Sequence, residues 1–234
     1  MTRPLHIQTI SLSRDQLLSG ADWFEPLGAK AKSHVRDDLI ERTIGVGDAL
    51  GHQGETQHHW FGVMEGLLKW SVNAIDGRTV TLGGQSVGSW FGEGTLLRSQ
   101  PRQADIIALR DSRVAMLPRA TFDWLRRTEP SFNEFLLRQI NERLHWFMGS
   151  MAAHRLLDAE HLVIRALWGL VHPLLNPLGL HHLLISQEEV ANLAMVSRQR
   201  CNMALLTLKR EGLIELGYGA ISIRDIDALA ARMR

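Results

Sequence analysis

Between Ser197 and Arg210 the chain carries Arg198, Arg200, Lys209 and Arg210 and no acidic residue. On a helix opened by Ser197, the residues Arg198, Gln199, Asn202 and Leu206 share one face, and Cys201, Ala204, Leu205 and Leu208 share the opposite one. Arginine bonds both major-groove acceptors of guanine, and glutamine or asparagine does the same for adenine, so the outward face suits base reading. Its polar residues cluster at the N-terminal end, the end that reaches base edges in a major groove. Arg200 and Lys209, with the hydroxyls of Ser186 and Ser197, are the accompanying phosphate donors.

The neighbouring sequence supplies the elements that position this face. Ser186 and Glu189 form a capping box at the head of a preceding short helix, and Met195-Val196 leaves only a tight turn before Ser197. Two short capped helices joined by such a turn form a helix-turn-helix. After Gly212, Leu213–Leu216 and Ala220–Ile223 flank Gly217-Tyr218-Gly219, a hairpin that makes a wing beside the DNA backbone. The competing reading is a helical pair used only for packing, in which caps, basic end and wing are coincidental. Upstream, Asp158 caps a helix with Leu162, Val163, Ala166, Leu167 and Leu170 along one stripe, ended by Pro173 and Pro177.

Before it lies a longer helical pattern. Pro130 ends a short helical stretch around Thr121–Arg127, and Ser131 with Glu134 reads as a capping box opening a new helix. Leu137, Ile140, Leu144, Phe147 and Met151 then recur at steps of three and four, the spacing of a two-helix seam. Two readings stay open here: a homodimer interface, or a helix packed on its own β domain. Gly149 interrupts the run and implies close approach or flexibility.

The first half has the period of strands. Leu68, Trp70 and Val72 alternate with Lys69, Ser71 and Asn73. Asp76-Gly77 offers two positive-φ positions for a hairpin turn, and Thr79–Leu82 returns. Ala104–Ala108 and Arg113–Leu117 are later strands, and Gly83, Gly84, Gly88, Gly92 and Gly94 mark corners, a pattern of a jelly-roll β-barrel. The fold expected is α+β, with a β-roll sensor over residues 1–130, a long dimerisation helix over 131–157 and a winged helix-turn-helix over 158–234.

Bulk numbers narrow the function classes. The 234 residues, 45% hydrophobic and 22% charged, describe an ordinary globular chain. A net charge of +1 gives no global field toward nucleic acid or an anionic membrane, so any binding is local. From Asp158 onward eight basic residues balance eight acidic ones, which leaves the Ser197–Arg210 stretch as a local excess. The single cysteine, Cys201, excludes an intramolecular disulfide. With no apolar signal core in Met1–Leu18 and no run of about 18 apolar residues, a cytoplasmic location without membrane insertion is expected.

The order of parts resembles the Crp/Fnr family of bacterial transcription regulators over nearly the whole chain after Asp22. The similar segments are His52-Gln53-Gly54-Glu55, Trp90-Phe91-Gly92-Glu93, Arg102 with Ala104, Leu156-Leu157-Asp158, Ser197-Arg198 and Lys209-Arg210-Glu211-Gly212-Leu213-Ile214. The resemblance implies a homodimer on an inverted-repeat operator in double-stranded DNA, with RNA polymerase as a further partner, and a roll that senses a signal. It also places a ligand at Gly92, Glu93, Arg102 and Gln103, with Glu93 on a ribose hydroxyl and Arg102 on a cyclic phosphate. Departures argue against cAMP and leave the effector unknown, with another nucleotide, a small effector, or a vestigial pocket with Arg102 in a structural ion pair and a constitutively active regulator all open. Gln103 stands where the family has Ser or Thr, and Phe147 and Met148 lack the hydroxyls presented to adenine. On the reading helix Gln199 replaces a glutamate and Met203 an arginine, which changes the operator, and Met195 replaces a turn glycine.

Eleven histidines raise a metal or haem alternative. His58-His59 near Glu65 faintly resembles a cupin centre, the basis of a metal-dependent enzyme reading, yet adjacent strand residues point to opposite faces. No metal ligand set is assigned, and no catalytic residue. For haem, His145 and His154 on the long helix are the positions to inspect. Cys201 belongs to the apolar face of its helix, where a thiol acts as a small hydrophobe.

Overall fold

The computed structural model describes residues 10–172, 178 and 181–233. Two short helices, α1 (Arg14–Ser19) and α2 (Ala29–Asp38), precede the strands. Eight strands follow: β1 (Ile40–Ile44), β2 (Ala49–Gly51), β3 (His59–Glu65), β4 (Leu67–Asn73), β5 (Thr79–Ser86), β6 (Trp90–Phe91), β7 (Asp105–Ala108) and β8 (Ser112–Pro118), with α3 (Glu93–Arg98) between β6 and β7. They pair as two antiparallel four-stranded sheets, β1-β8-β3-β6 and β2-β7-β4-β5. Among the described residues these pairings form two sheets of a roll and not one closed ring. An aromatic cluster of Trp23, Trp60, Trp90, Phe122 and Phe132, all buried, fills the space between the roll and its flanking helices.

Two local expectations in the roll change. The alternation along β4 does not hold, since Ser71 is buried and Val72 only half-buried, and the register to β5 shifts here because Leu82 of β5 is an extra residue between the partners of Trp70 and Ser71. The β4–β5 turn uses one left-handed residue, Gly77 at φ +84, not two, because the connection spans Ala74 to Arg78 and Ala74 N–H donates to the Arg78 carbonyl at 2.8 Å.

After α4 (Arg119–Thr128) the 27-residue helix α5 runs Pro130–Leu156. Its start differs from the predicted box: Glu129 is the cap residue and Pro130 the first helical one, with no side-chain cap bond. Proline there loses nothing, since the first N–H groups of a helix have no intrahelical partner. The first turns of α5 pack on the roll through Phe132, Phe135, Leu136 and Gln139. The seam residues Leu137, Ile140, Leu144, Phe147 and Met151 are exposed on the single chain.

The second half comprises α6 (Ala159–Val171), β9 (His182–Leu183), α7 (Gln187–Ala194), α8 (Arg198–Arg210), β10 (Ile214–Gly217), β11 (Ala220–Ile223) and α9 (Ile226–Ala231). Asp158 caps α6 as expected, accepting from His161 N–H, whereas Pro173 and Pro177 lie outside the described residues. Val163, Leu167, Val190, Cys201, Leu205, Leu208 and Ile221 form a separate core. Leu67 of the roll joins it, and Arg110 of the β7–β8 loop reaches both Glu189 oxygens at 2.7 and 2.6 Å. The fold is α+β, a β-roll, a long helix and a winged helix-turn-helix.

Candidate DNA-reading face and ligand pocket

The helix-turn-helix is built as its caps dictate. Ser186 Oγ accepts from Glu189 N–H while Glu189 Oε2 accepts from Ser186 N–H, at 3.2 and 2.7 Å. This closes the capping box at the head of α7. Glu189 serves twice, since its carboxylate also holds Arg110. Burial raises its proton affinity, but the Arg110 and Ser186 bonds outweigh this and hold its pKa below the ordinary glutamate value. Ser197 Oγ caps α8 by accepting from Arg200 N–H at 3.3 Å. The turn passes through Met195, which sits in the left-handed region at φ +51 and ψ +39.

Cys201, Ala204, Leu205 and Leu208 are buried, and Cys201 Sγ lies 3.4 Å from the Gln187 carbonyl of α7. Burial pushes this thiol up to about 11, so it stays protonated and packs as a hydrophobe. With that face fixed inward, Arg198, Gln199, Arg200, Asn202 and Lys209 are all exposed on the other surfaces of α8. No side-chain hydrogen bond or ion pair holds any of these five among the described residues, so their donors are free to meet a groove. β10 and β11 pair from Ile214↔Ile223 to Gly217↔Ala220 and carry the exposed Tyr218 at the tip. A third wing strand, β9, pairs Leu183 with Ile221. Two residues gave no periodicity by which the sequence could reveal it.

In the roll, Gly92, Arg102 and Gln103 line one cavity of about 150 Å³ with Gln57, Trp70 and Thr95. Gly92 has φ +98, and a Cβ there would strike the Gln57 amide, which donates to the Gly92 and His59 carbonyls at 2.7 and 2.8 Å. Arg102 is 6% exposed, lies over the Phe61 ring at 5.3 Å, and keeps a buried Nε with no hydrogen-bond acceptor. A Cβ at Gly51 would come within 2.7 Å of that Nε, so the glycine leaves the room the guanidinium occupies. No carboxylate lies within ion-pair distance of Arg102 among the described residues. Burial therefore lowers its pKa, partly countered by the more distant Glu55.

Glu93 does not join this cavity. At 3% exposure it accepts from Trp60 Nε1 at 3.3 Å and pairs with Arg143 of α5 at 3.0 Å. Arg143 also donates to the Trp90 carbonyl at 2.7 Å and lies over Trp70 at 5.2 Å. Gln57, Thr95 and Trp70 thus line the pocket, with Arg143 lying over Trp70, and none stood out in the sequence because each acts between sequence-distant segments. Gln103 is exposed and bonds the Pro101 carbonyl at 3.2 Å.

His145 and His154 are exposed on α5, and His58 and His59 form no cluster with other ligand types. Among the described residues no group of three His, Cys, Asp or Glu side chains is arranged to hold a metal, and no described helix is long and apolar enough to cross a membrane.

Two family models match the chain, a cyclic nucleotide-binding domain over residues 41–129 and a Crp-like helix-turn-helix domain over residues 153–232. The chain is 26% identical over 226 residues to the CRP-like cAMP-activated global transcriptional regulator of Mycobacterium tuberculosis, covering 94% of this chain and 100% of that protein. It is 27% identical over 208 residues to the cyclic AMP receptor protein of Thermus thermophilus, covering 89% and 94% respectively. The solved structure of FixK2 from Bradyrhizobium japonicum is similar at a TM-score of 0.69 and 15% identity, covering 84% of this chain and 98% of that one, a likeness of fold.

Proposed function

Because the chain belongs to the Crp/Fnr family of DNA-binding transcription regulators, we propose that it acts as a homodimer, joined along α5, on an inverted-repeat operator. The observation that carries this reading is the exposed, unengaged N-terminal end of α8 set beside the exposed seam of α5. In it Arg198, Gln199 and Asn202 read base edges, while Arg200, Lys209, Ser186 and Ser197 hold phosphates. A twofold axis through the α5 seam presents two such helices to two half-sites. The protein works in the cytoplasm without a catalytic step, and RNA polymerase is the further partner of the DNA-bound dimer.

The roll, residues 1–130 in this division of the chain, takes an anionic effector at Arg102, with Gly92 and Gln103 on the same wall. A buried guanidinium with a ring but no carboxylate beside it lacks a counter-charge for its desolvation, and an anion supplies it. A cavity of about 150 Å³ is smaller than the ~300–1,000 Å³ of ordinary ligand pockets, and Trp70 stands in its wall. A phosphate-sized group therefore fits directly, and a whole nucleotide requires Trp70 to move. Glu93, held by Arg143, is the link from this pocket to the long helix.

Selection from a random duplex pool tests the function. Enrichment of a two-half-site sequence, bound by two chains per duplex, is the expected result. Recovery of no common sequence overturns it.

A further inference from the structure

The four buried residues of α8, Cys201, Ala204, Leu205 and Leu208, fix which side of the helix faces inward. At 3.6 residues per turn the middle of the opposite face falls on Gln199, Met203, Leu206 and Arg210, with Arg198 and Asn202 on one shoulder and Arg200 and Thr207 on the other. Two of these midline residues are apolar. Met203 is 64% exposed and Leu206 49%, and three residues apart on a helix they are neighbours, so they make one apolar spot a turn beyond Gln199. Neither joins the core around Val190, Cys201 and Leu208. Met203 edges an open cleft toward Leu157 and Ala159 without being covered by it.

The charges around the spot narrow what covers it. Arg198, Arg200, Lys209 and Arg210 flank it, and α8 holds no acidic side chain, so the occupant is an anionic surface that also offers an apolar group. Duplex DNA meets both demands. Its phosphates border the groove, and the C5 methyl of thymine is the one apolar group that a base edge presents in the major groove. A methionine side chain is unbranched and polarisable, and so adapts to such a methyl. Met203 and Leu206 offer no strong hydrogen-bond partner to guanine, cytosine or adenine, and pressed against those edges they displace water without replacing its bonds. The spot therefore favours thymine by contact and disfavours the other bases by desolvation.

We propose that Met203, with Leu206 beside it, reads thymine methyl groups, so that each half-site carries thymine under the middle of α8. This rests on the reading of α8 as the helix that enters the major groove. The polar residues Arg198, Gln199 and Asn202 have chemistry for guanine and adenine, and the apolar spot extends the recognised sequence to thymine.

The test takes the duplex that the full chain selects from a random pool and replaces its thymines one at a time by deoxyuridine, which removes the C5 methyl and leaves base pairing and the hydrogen-bonding edges unchanged. Affinity is read by fluorescence anisotropy at constant salt. At one or two thymines of each half-site, deoxyuridine is expected to weaken binding by the parent about fourfold, the worth of one buried carbon. Met203→Ala, an exposed change with circular dichroism matched to the parent, is expected to weaken binding to the thymine duplex and to lose the response to deoxyuridine at that base pair. Leu206→Ala is expected to reduce the response at the same or the adjoining pair. A selected half-site without thymine, affinity indifferent to every deoxyuridine, or a response that both variants keep in full overturns the proposal; the DNA-reading assignment then stands, and the spot is left to a protein partner. Recovery of no common sequence from the pool overturns the assignment and the proposal with it.

Discussion

Replacing Leu144 by glutamate separates the dimer from the fold. In the single chain the Leu144 side chain is 56% exposed, so its removal takes nothing from the protomer core. Full burial of a leucine is worth about 1.5–3 kcal/mol, and covering the exposed half therefore supplies about 1–1.5 kcal/mol per chain. A twofold seam counts every residue twice, which gives about 2–3 kcal/mol per dimer. The glutamate also brings two carboxylates toward the axis. At an effective dielectric of about 20 a pair several ångströms apart repels by about 3 kcal/mol. The sum, about 5–6 kcal/mol, raises the dissociation constant by three to four orders of magnitude. Sedimentation velocity at about ten micromolar chain should show dimers for the parent and monomers for the variant, with unchanged circular dichroism. A variant that remains dimeric refutes the seam.

Three further outcomes follow from single sites. Met195→Gly relieves a left-handed methionine at φ +51 and is expected to stabilise the chain by about 0.5–1 kcal/mol in thermal or urea unfolding, the relief exceeding the extra chain entropy of glycine; a lower midpoint contradicts this. Arg110→Ala removes the two bonds to Glu189, whose folded pKa is depressed, so the stabilisation it loses, about 1 kcal/mol, is fully present above the unfolded glutamate value of ~4.3 and fades as pH falls through the folded one. Parent and variant stabilities should thus differ at pH 6 and converge as pH falls through the depressed folded value, and a gap that widens in acid contradicts the sign. Cys201, held protonated with a pKa of about 11, should resist iodoacetamide at pH 7.5 in the folded chain and react once it is unfolded; fast labelling of the native protein contradicts its burial.

The legible parts of the molecule were those where local chemistry decides the backbone. Ser186, Glu189 and Ser197 determine helix starts through their own side chains, and the apolar face of Cys201, Ala204, Leu205 and Leu208 determines which way α8 turns. The stripe along α5 was legible for the same reason, as a helical period, and on the single chain its residues are exposed. Less was legible where contacts join distant segments. β1 is an edge strand whose first four residues are exposed, so it shows no alternation, and along β4 the buried Ser71 and half-buried Val72 depart from the pattern that was read there. At Ser131 a capping-box spelling was outcompeted by Pro130, whose fixed φ already suits a first helical turn. In the pocket, Arg102 could be read from its motif. That Glu93 turns to Arg143 instead depends on α5 crossing the roll near Trp90, which spacing along the chain does not encode.

The central claim is that the N-terminal end of α8 reads sequence. Its most direct test measures Arg198→Ala by fluorescence anisotropy on the duplex selected by the parent and on a scrambled duplex of equal length and salt. A bidentate contact to guanine predicts a loss of about 1–3 kcal/mol, roughly 5–150-fold, on the selected duplex, little change on the scrambled one, and relaxed preference at one base pair of each half-site. Equal weakening on both duplexes, with base preference intact, contradicts it and leaves Arg198 holding only phosphate.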